Sequence, residues 1–167
     1  MTKTMTTSHD PVCGMDVEVA QSSHSTTYKG LVFHFCSPQC LERFSETPTL
    51  YTSGQRTADI QPMLKRRKLR LAGGTPTDIQ HVCQQIGEMM GILSISTERD
   101  YLIVEYDLRQ ATLVQIEAIA ISHGLQLKGG FHGFRRGLWK FTESNELQNA
   151  AHLGTGACCS RPPAKIR

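Results

Sequence analysis

The chain has 167 residues, 39% hydrophobic and 20% charged, which suits one ordinary domain or two small ones and not a disordered tail. Its formal net charge of +3 is too small to argue for a nucleic-acid partner. No stretch approaches eighteen consecutive apolar residues, so no membrane span is expected.

Residues 1–8 are polar and Thr-rich and read as a frayed terminus without a secretory apolar run, which makes a cytoplasmic location the default. Residues 9–51 are dense in Cys, His and aromatics, and residues 1–51 together hold three Lys/Arg against five Asp/Glu. Within them, Tyr28–Phe35 turns at Lys29–Gly30 into an aromatic strand, and Ser37–Pro38 opens a short helix carrying Leu41 and Phe44. Residues 52–64 have no clear period, contain Gly54 and Pro62, and are expected to be a linker.

Residues 65–129 are strongly patterned. Lys68–Ala72 alternates as a strand, with Leu69 and Leu71 on one face. After Gly73–Gly74, Thr75 or Thr77 can cap a helix with Pro76 and Asp78 in its first turn. Its apolar stripe is Ile79, Val82, Cys83, Ile86, Met89 and Met90, and Gly91 can end it. Ile92–Thr97 and Tyr101–Asp107 alternate as strands around a tight turn at Glu98–Asp100. A second helix follows, with Leu113, Ile116, Ile119 and Ala120 as its stripe and Gly124 as its stop, and then a strand at Leu125–Lys128. The predicted order is β-α-β-β-α-β, the ferredoxin-like arrangement. The basic run at 65–70 reads as the solvated start of a strand. Residues 130–153 suit an amphipathic helix with Phe134, Leu138, Phe141 and Trp139 toward the sheet, or else toward a partner or membrane surface. Residues 154–167 read as a flexible Gly/Cys/Pro tail.

The six cysteines are placed unevenly. Cys13, Cys36 and Cys40 follow the spacing C-x22-C-x3-C, with Cys36 at a strand end and Cys40 in the first turn of a helix, whose N-terminus favours the thiolate. Three thiolates are one ligand short of a tetrahedral zinc site, and His34, His9, Met15 or an exogenous group could supply the fourth. Three soft ligands also suit Cu(I). Cys158 and Cys159, adjacent in the tail, form a second candidate soft-metal pair, with His152 as a further donor. Cys83 falls on the apolar face of its helix and reads as a core residue, while His81 falls on a polar face and reads as solvated.

The segments HDPVCGMDVEV, TYKGLVFHFCSPQCLERF and TPTLY resemble the YHS domain, a relative of the TRASH metal-trafficking modules. The resemblance covers residues 10–51 and implies a treble-clef-like metal module, as found in heavy-metal transporters, sensors and resistance proteins. It points to Cys13, Cys36 and Cys40 as ligands. By element order, residues 66–129 resemble heavy-metal-associated (HMA) domains of the copper-chaperone kind. They depart from that family in the first strand–helix loop, which reads GGTPTDIQHVC and has no CxxC.

The expectation is an α+β protein: a metal-binding module at 9–51, a linker at 52–64, an HMA-like ferredoxin-fold domain at 65–129, a helix at 130–153 and a Cys-Cys tail at 154–167. The sequence shows no nucleophile–base constellation and no phosphate loop, so no enzyme is expected. The expected role is a cytoplasmic metallochaperone or buffer for Cu(I) or Ag(I), with Zn(II) as the alternative ion. The expected partner is a metal-transporting ATPase or another metal-trafficking protein. A structural zinc finger that serves as a docking module, or a metal-responsive regulator, is the alternative reading.

Overall fold

A computed structural model of the chain describes residues 7–52 and 61–153. The segments outside these ranges include the predicted tail with Cys158 and Cys159. In the first region, β1 (Thr7–His9) pairs with β2 (Asp16–Glu18), and β3 (His24–Tyr28) forms a hairpin with β4 (Leu31–Phe35). Lys29 and Gly30 make the hairpin turn with φ of 49° and 79°, left-handed values typical of a two-residue connection. Helices α1 (Pro38–Glu46) and α2 (Pro48–Thr52) follow. Phe44 of α1 is the centre of this region's core, with ring centroids 4.8 Å from Phe33, 5.1 Å from Phe35, 6.0 Å from Tyr28 and 6.1 Å from Tyr51.

The second region runs β5 (Leu64–Gly73), α3 (Pro76–Gly87), β6 (Ile92–Glu98), β7 (Tyr101–Asp107), α4 (Leu113–Ser122) and β8 (Gln126–Leu127), so the β-α-β-β-α-β order is observed. Its sheet has the strand order β6-β7-β5-β8, and every neighbouring pair is antiparallel. Both of its helices start on a capping box, Thr75 with Asp78 and Thr112 with Gln115, which satisfies amide groups that a helix start leaves without partners. Strand β5 begins at Leu64, inside the stretch expected to be linker, because its first residues pair with β7 from Leu64↔Asp107 onward. Helix α3 stops at Gly87, short of Gly91. The φ of +83° at Gly91 instead serves the turn into β6, where a Cβ would come within 2.5 Å of Gln110 Cβ.

The basic run of β5 divides between the two faces of the sheet. Arg66, Lys68 and Arg70 meet Glu105, Glu98 and Asp100 on one face, while Lys65 and Arg67 meet Glu146 and Glu143 of α5 (Phe131–Leu153) on the other. The five cations of this run that follow Leu64 therefore each have a carboxylate partner.

Helix α5 forms as expected but turns a different face inward. Phe131, Phe134, Leu138 and Phe141 are exposed, at 78%, 71%, 50% and 64%. The buried positions are Glu143, Leu147 and Ala151, and Trp139 is half-buried between the guanidinium groups of Arg67 and Arg135. Glu143 anchors the helix. Its carboxylate accepts hydrogen bonds from Tyr106 Oη (2.5 Å), Arg67 Nε (3.2 Å) and the Leu113 amide (3.0 Å), which opens α4. These three charge-assisted or helix-terminal contacts fix which face of α5 turns inward.

The two regions share one hydrophobic core, which contains Phe35, Phe44 and Tyr51 together with Leu69, Tyr106 and Leu113. Polar contacts join them as well. Tyr51 Oη donates to the Arg109 carbonyl (2.6 Å), and the Gln39 carboxamide donates to the Met90 and Gln110 carbonyls (2.9 Å each) while accepting from the Met90 amide (3.1 Å). Among the described residues no helix is long and apolar enough to cross a membrane.

Candidate metal centre

Three pieces of backbone converge at one end of the first region. The loop after β1 is wound tightly around Asp10, whose Oδ1 accepts from the amides of Val12 (2.8 Å) and Cys13 (3.4 Å). Its backbone carbonyl accepts from the Gly14 amide and its own amide donates to the Met15 carbonyl, both at 2.8 Å. Gly14 has φ +78°, so the loop can reverse directly after Cys13. Strand β4 delivers Cys36 at its end. Ser37 then caps α1, accepting from the Cys40 amide at 3.2 Å, with Pro38 in the first turn.

The result is a group of four side chains, Asp10, Cys13, Cys36 and Cys40, whose candidate ligand atoms all lie within 4.8 Å of one another. Cys13 Sγ is 3.5 Å from Cys36 Sγ, which is 3.7 Å from Cys40 Sγ. Sulfurs held by one tetrahedral ion at about 2.3 Å lie roughly 3.8 Å apart, so the spacing already suits a shared cation. Cys40 and Asp10 are fully buried, whereas Cys13 and Cys36 are half-buried and accessible.

Without a cation the three thiols cannot all ionise. Hydrogen bonding from the Cys40 thiol, only partly opposed by burial, lowers Cys13 to about 7. The same bond, with burial, pushes Cys40 far up. Cys36 is raised to about 11, chiefly by burial and then by its contact with Cys13. One thiolate at Cys13, supported by neighbouring thiols, is thus the favoured ionised form. A bound cation changes this balance by compensating charge on all three sulfurs.

Asp10 is the member of the group that sequence reasoning missed. The signal available was an Asp three residues before Cys13 and directly before Pro11, a common way to start a side-chain-stabilised turn. Its second oxygen, Oδ2, accepts from the Cys36 amide at 2.9 Å, so one carboxylate ties the Cys13 loop to the strand that carries Cys36.

The two histidines expected as possible fourth ligands lie outside this group. His9 is exposed and its Nδ1 lies 2.5 Å from Asp16 Oδ1. His34 is half-buried and lies outside the group, and Met15 is 52% exposed. His152 sits exposed near the end of α5, and Cys158 and Cys159 lie outside the described residues. Cys83 is half-buried against the core, and burial raises its pKa, as suits a packed thiol.

Residues 8–55 match the YHS domain family. The matched span contains all four residues of the cluster, so the geometry and the family assignment of this segment meet at one place. The Cys/Asp cluster is the position within the matched span that could hold a metal ion. No curated protein and no solved structure matches the chain.

Proposed function

We propose that the chain is a soft-metal-binding protein that carries Cu(I) or Ag(I), acting as a cytoplasmic metallochaperone or buffer in heavy-metal homeostasis or resistance. The observation that carries this reading is the sulfur group. Three thiols stand together while both oxygens of the neighbouring carboxylate already accept backbone amides, which leaves sulfur as the dominant donor. An all-sulfur donor set favours Cu(I) and Ag(I) over harder ions. Clustered free thiols also suit a reducing compartment.

In this reading Cys40 forms the buried floor of the site, and Cys13 and Cys36 are the accessible ligands through which an ion enters and leaves. Transfer proceeds by exchange of one thiolate for another, so no catalytic acid or base takes part. The second region is a ferredoxin-like domain related to HMA domains but lacking their CxxC. Its strand order and its GGTPTD loop support that view. It acts as the platform for a metal-transporting ATPase or another trafficking protein, and Cys158 and Cys159 accept or pass ions.

A second reading, structural zinc in a docking module, is favoured by the full burial of Cys40 and by the hard oxygen donor of Asp10 in the same group. Titration with Cu(I) against a competing chelator separates the two. The first reading expects stoichiometric, tight Cu(I) binding that is lost in the Cys13→Ala, Cys36→Ala, Cys40→Ala triple variant. Unchanged affinity in that variant overturns it. Tightly held zinc in the isolated protein, with no Cu(I) uptake beyond it, establishes the second reading instead.

A further inference from the structure

His81 and His123 stand 42 positions apart in the chain, yet the packing of α3 against α4 places their ring centroids 5.0 Å apart with the planes inclined at 58°. His81 lies in the second turn of α3 and is exposed, and His123 is the C-cap of α4 and half-buried. We propose that these two imidazoles form a second metal site, a clip for a divalent transition ion of the Zn²⁺ class that bridges the two helices.

The spacing is the first support. A metal–nitrogen bond of about 2.0–2.1 Å puts an imidazole ring centre about 3.2 Å from the ion. At bond angles between a right angle and tetrahedral, two such rings then lie roughly 4.5–5.2 Å apart. The observed 5.0 Å falls within that interval.

The second support is the hydrogen bonding of His123. Its Nδ1 is 3.0 Å from the Ile119 carbonyl oxygen, which can only accept, so Nδ1 carries the proton in the neutral ring. The Nε2 lone pair is then available. Donation from the far ring nitrogen to a backbone carbonyl is how proteins fix a metal-binding imidazole in its ligating tautomer. Ser122 Oγ, 3.1 Å from the same Nδ1, adds to that restraint.

The third support is local charge. Asp78 lies one turn before His81 on α3, so a carboxylate shares this part of the helix with the imidazole. Two neutral nitrogen donors are borderline ligands and prefer Zn²⁺, Ni²⁺ or Cu²⁺. The remaining coordination positions are open to water or to a donor from another molecule. The chain would thus have two chemically different sites, one of sulfur and one of nitrogen.

The test is a Zn²⁺ titration of the full chain, with its cysteine cluster first saturated with Zn²⁺, followed through the imidazole nitrogens by two-bond ¹H–¹⁵N NMR. The Nε2 resonances of His81 and His123 are expected to shift together with a common midpoint. In His81→Gln, an exposed position, the His123 midpoint is expected to rise at least tenfold, and His123→Gln is expected to do the same to His81. The proposal is overturned if neither ring responds, if one ring responds without the other, or if the His123 midpoint is unchanged in H81Q. The ring signals are read separately from the thiols, so a negative result leaves the reading of the cysteine cluster untouched.

Discussion

The two regions of this protein put their buried polar groups to different uses. In the first, the buried carboxylate of Asp10 gathers backbone amides so that three sulfurs stand together. In the second, the buried carboxylate of Glu143 gathers a guanidinium, a phenol and a helix amide so that α5, α4 and the sheet stand together. One acid assembles a place for a ligand, and the other assembles the fold. Burial of a charge is therefore a poor guide to function unless its partners are named, because the same cost of desolvation is offset in both cases by fully used oxygens.

The largest effect should come from breaking the second arrangement. Glu143→Ala leaves Arg67 without its buried partner and the Leu113 amide without an acceptor. We expect a loss of about 3–5 kcal/mol in urea unfolding, with the metal stoichiometry of the folded protein unchanged. A loss below 1 kcal/mol would show that water replaces the carboxylate and that α5 is held by Leu147 and Ala151 alone.

Removing the first acid sharpens the contrast. Asp10→Ala frees the amides of Val12 and Cys36, at an expected cost of about 2–3 kcal/mol in the metal-free protein. It should also weaken metal binding by about 10–100-fold, as loss of a positioning group does, while all three sulfurs remain. Equilibrium dialysis against a competing chelator measures the second effect. Unchanged affinity would show that the Cys13 loop holds its shape without the carboxylate.

The smallest effect concerns a carboxylate that is not buried at all. The Thr75 hydroxyl and amide hold Asp78 below the usual carboxylate value. A lowered folded-state pKa means that the stabilisation is present above the ordinary carboxylate pKa and fades as pH falls through the lower folded value. The melting temperature of Asp78→Asn should therefore fall less steeply over that acid window than that of the unaltered chain. Parallel curves would show that the capping box adds nothing beyond a neutral hydrogen bond.

Much of the architecture was legible because it follows from local periodicity. The strand at Tyr101–Asp107, the stripe of α4 and the stop at Gly124 each depend on residues close in sequence and appear where expected, although the strand lies inside the sheet and is buried at both Ile103 and Val104 instead of alternating. The cysteine spacing was legible for the same reason, since a strand end and a helix start fix Cys36 and Cys40. What escaped depends on partners far along the chain. The inward face of α5 is set by Glu143, whose partners Arg67 and Tyr106 are 76 and 37 positions away, so the Phe134–Leu138–Phe141 stripe does not pack on the sheet and is exposed. Asp10 escaped because its role lies in accepting backbone amides, which side-chain chemistry alone does not advertise. His81 read as merely solvated because its neighbour comes from another helix.

Gln39 lies between Cys36 and Cys40, and its carboxamide is gripped at both ends by the Met90 and Gln110 backbone of the other region. The segment that carries Cys36 and Cys40 is therefore clamped from outside its own module. In the proposed carrier reading, that clamp steadies Cys36 and Cys40, and of the two accessible thiolates Cys13, on the Asp10–Met15 loop, is the one that exchanges first. On that reading, a donor that competes for Cys13 sets how quickly an ion leaves, and tightening or loosening the Gln39 clamp would change that dwell without altering a single ligand.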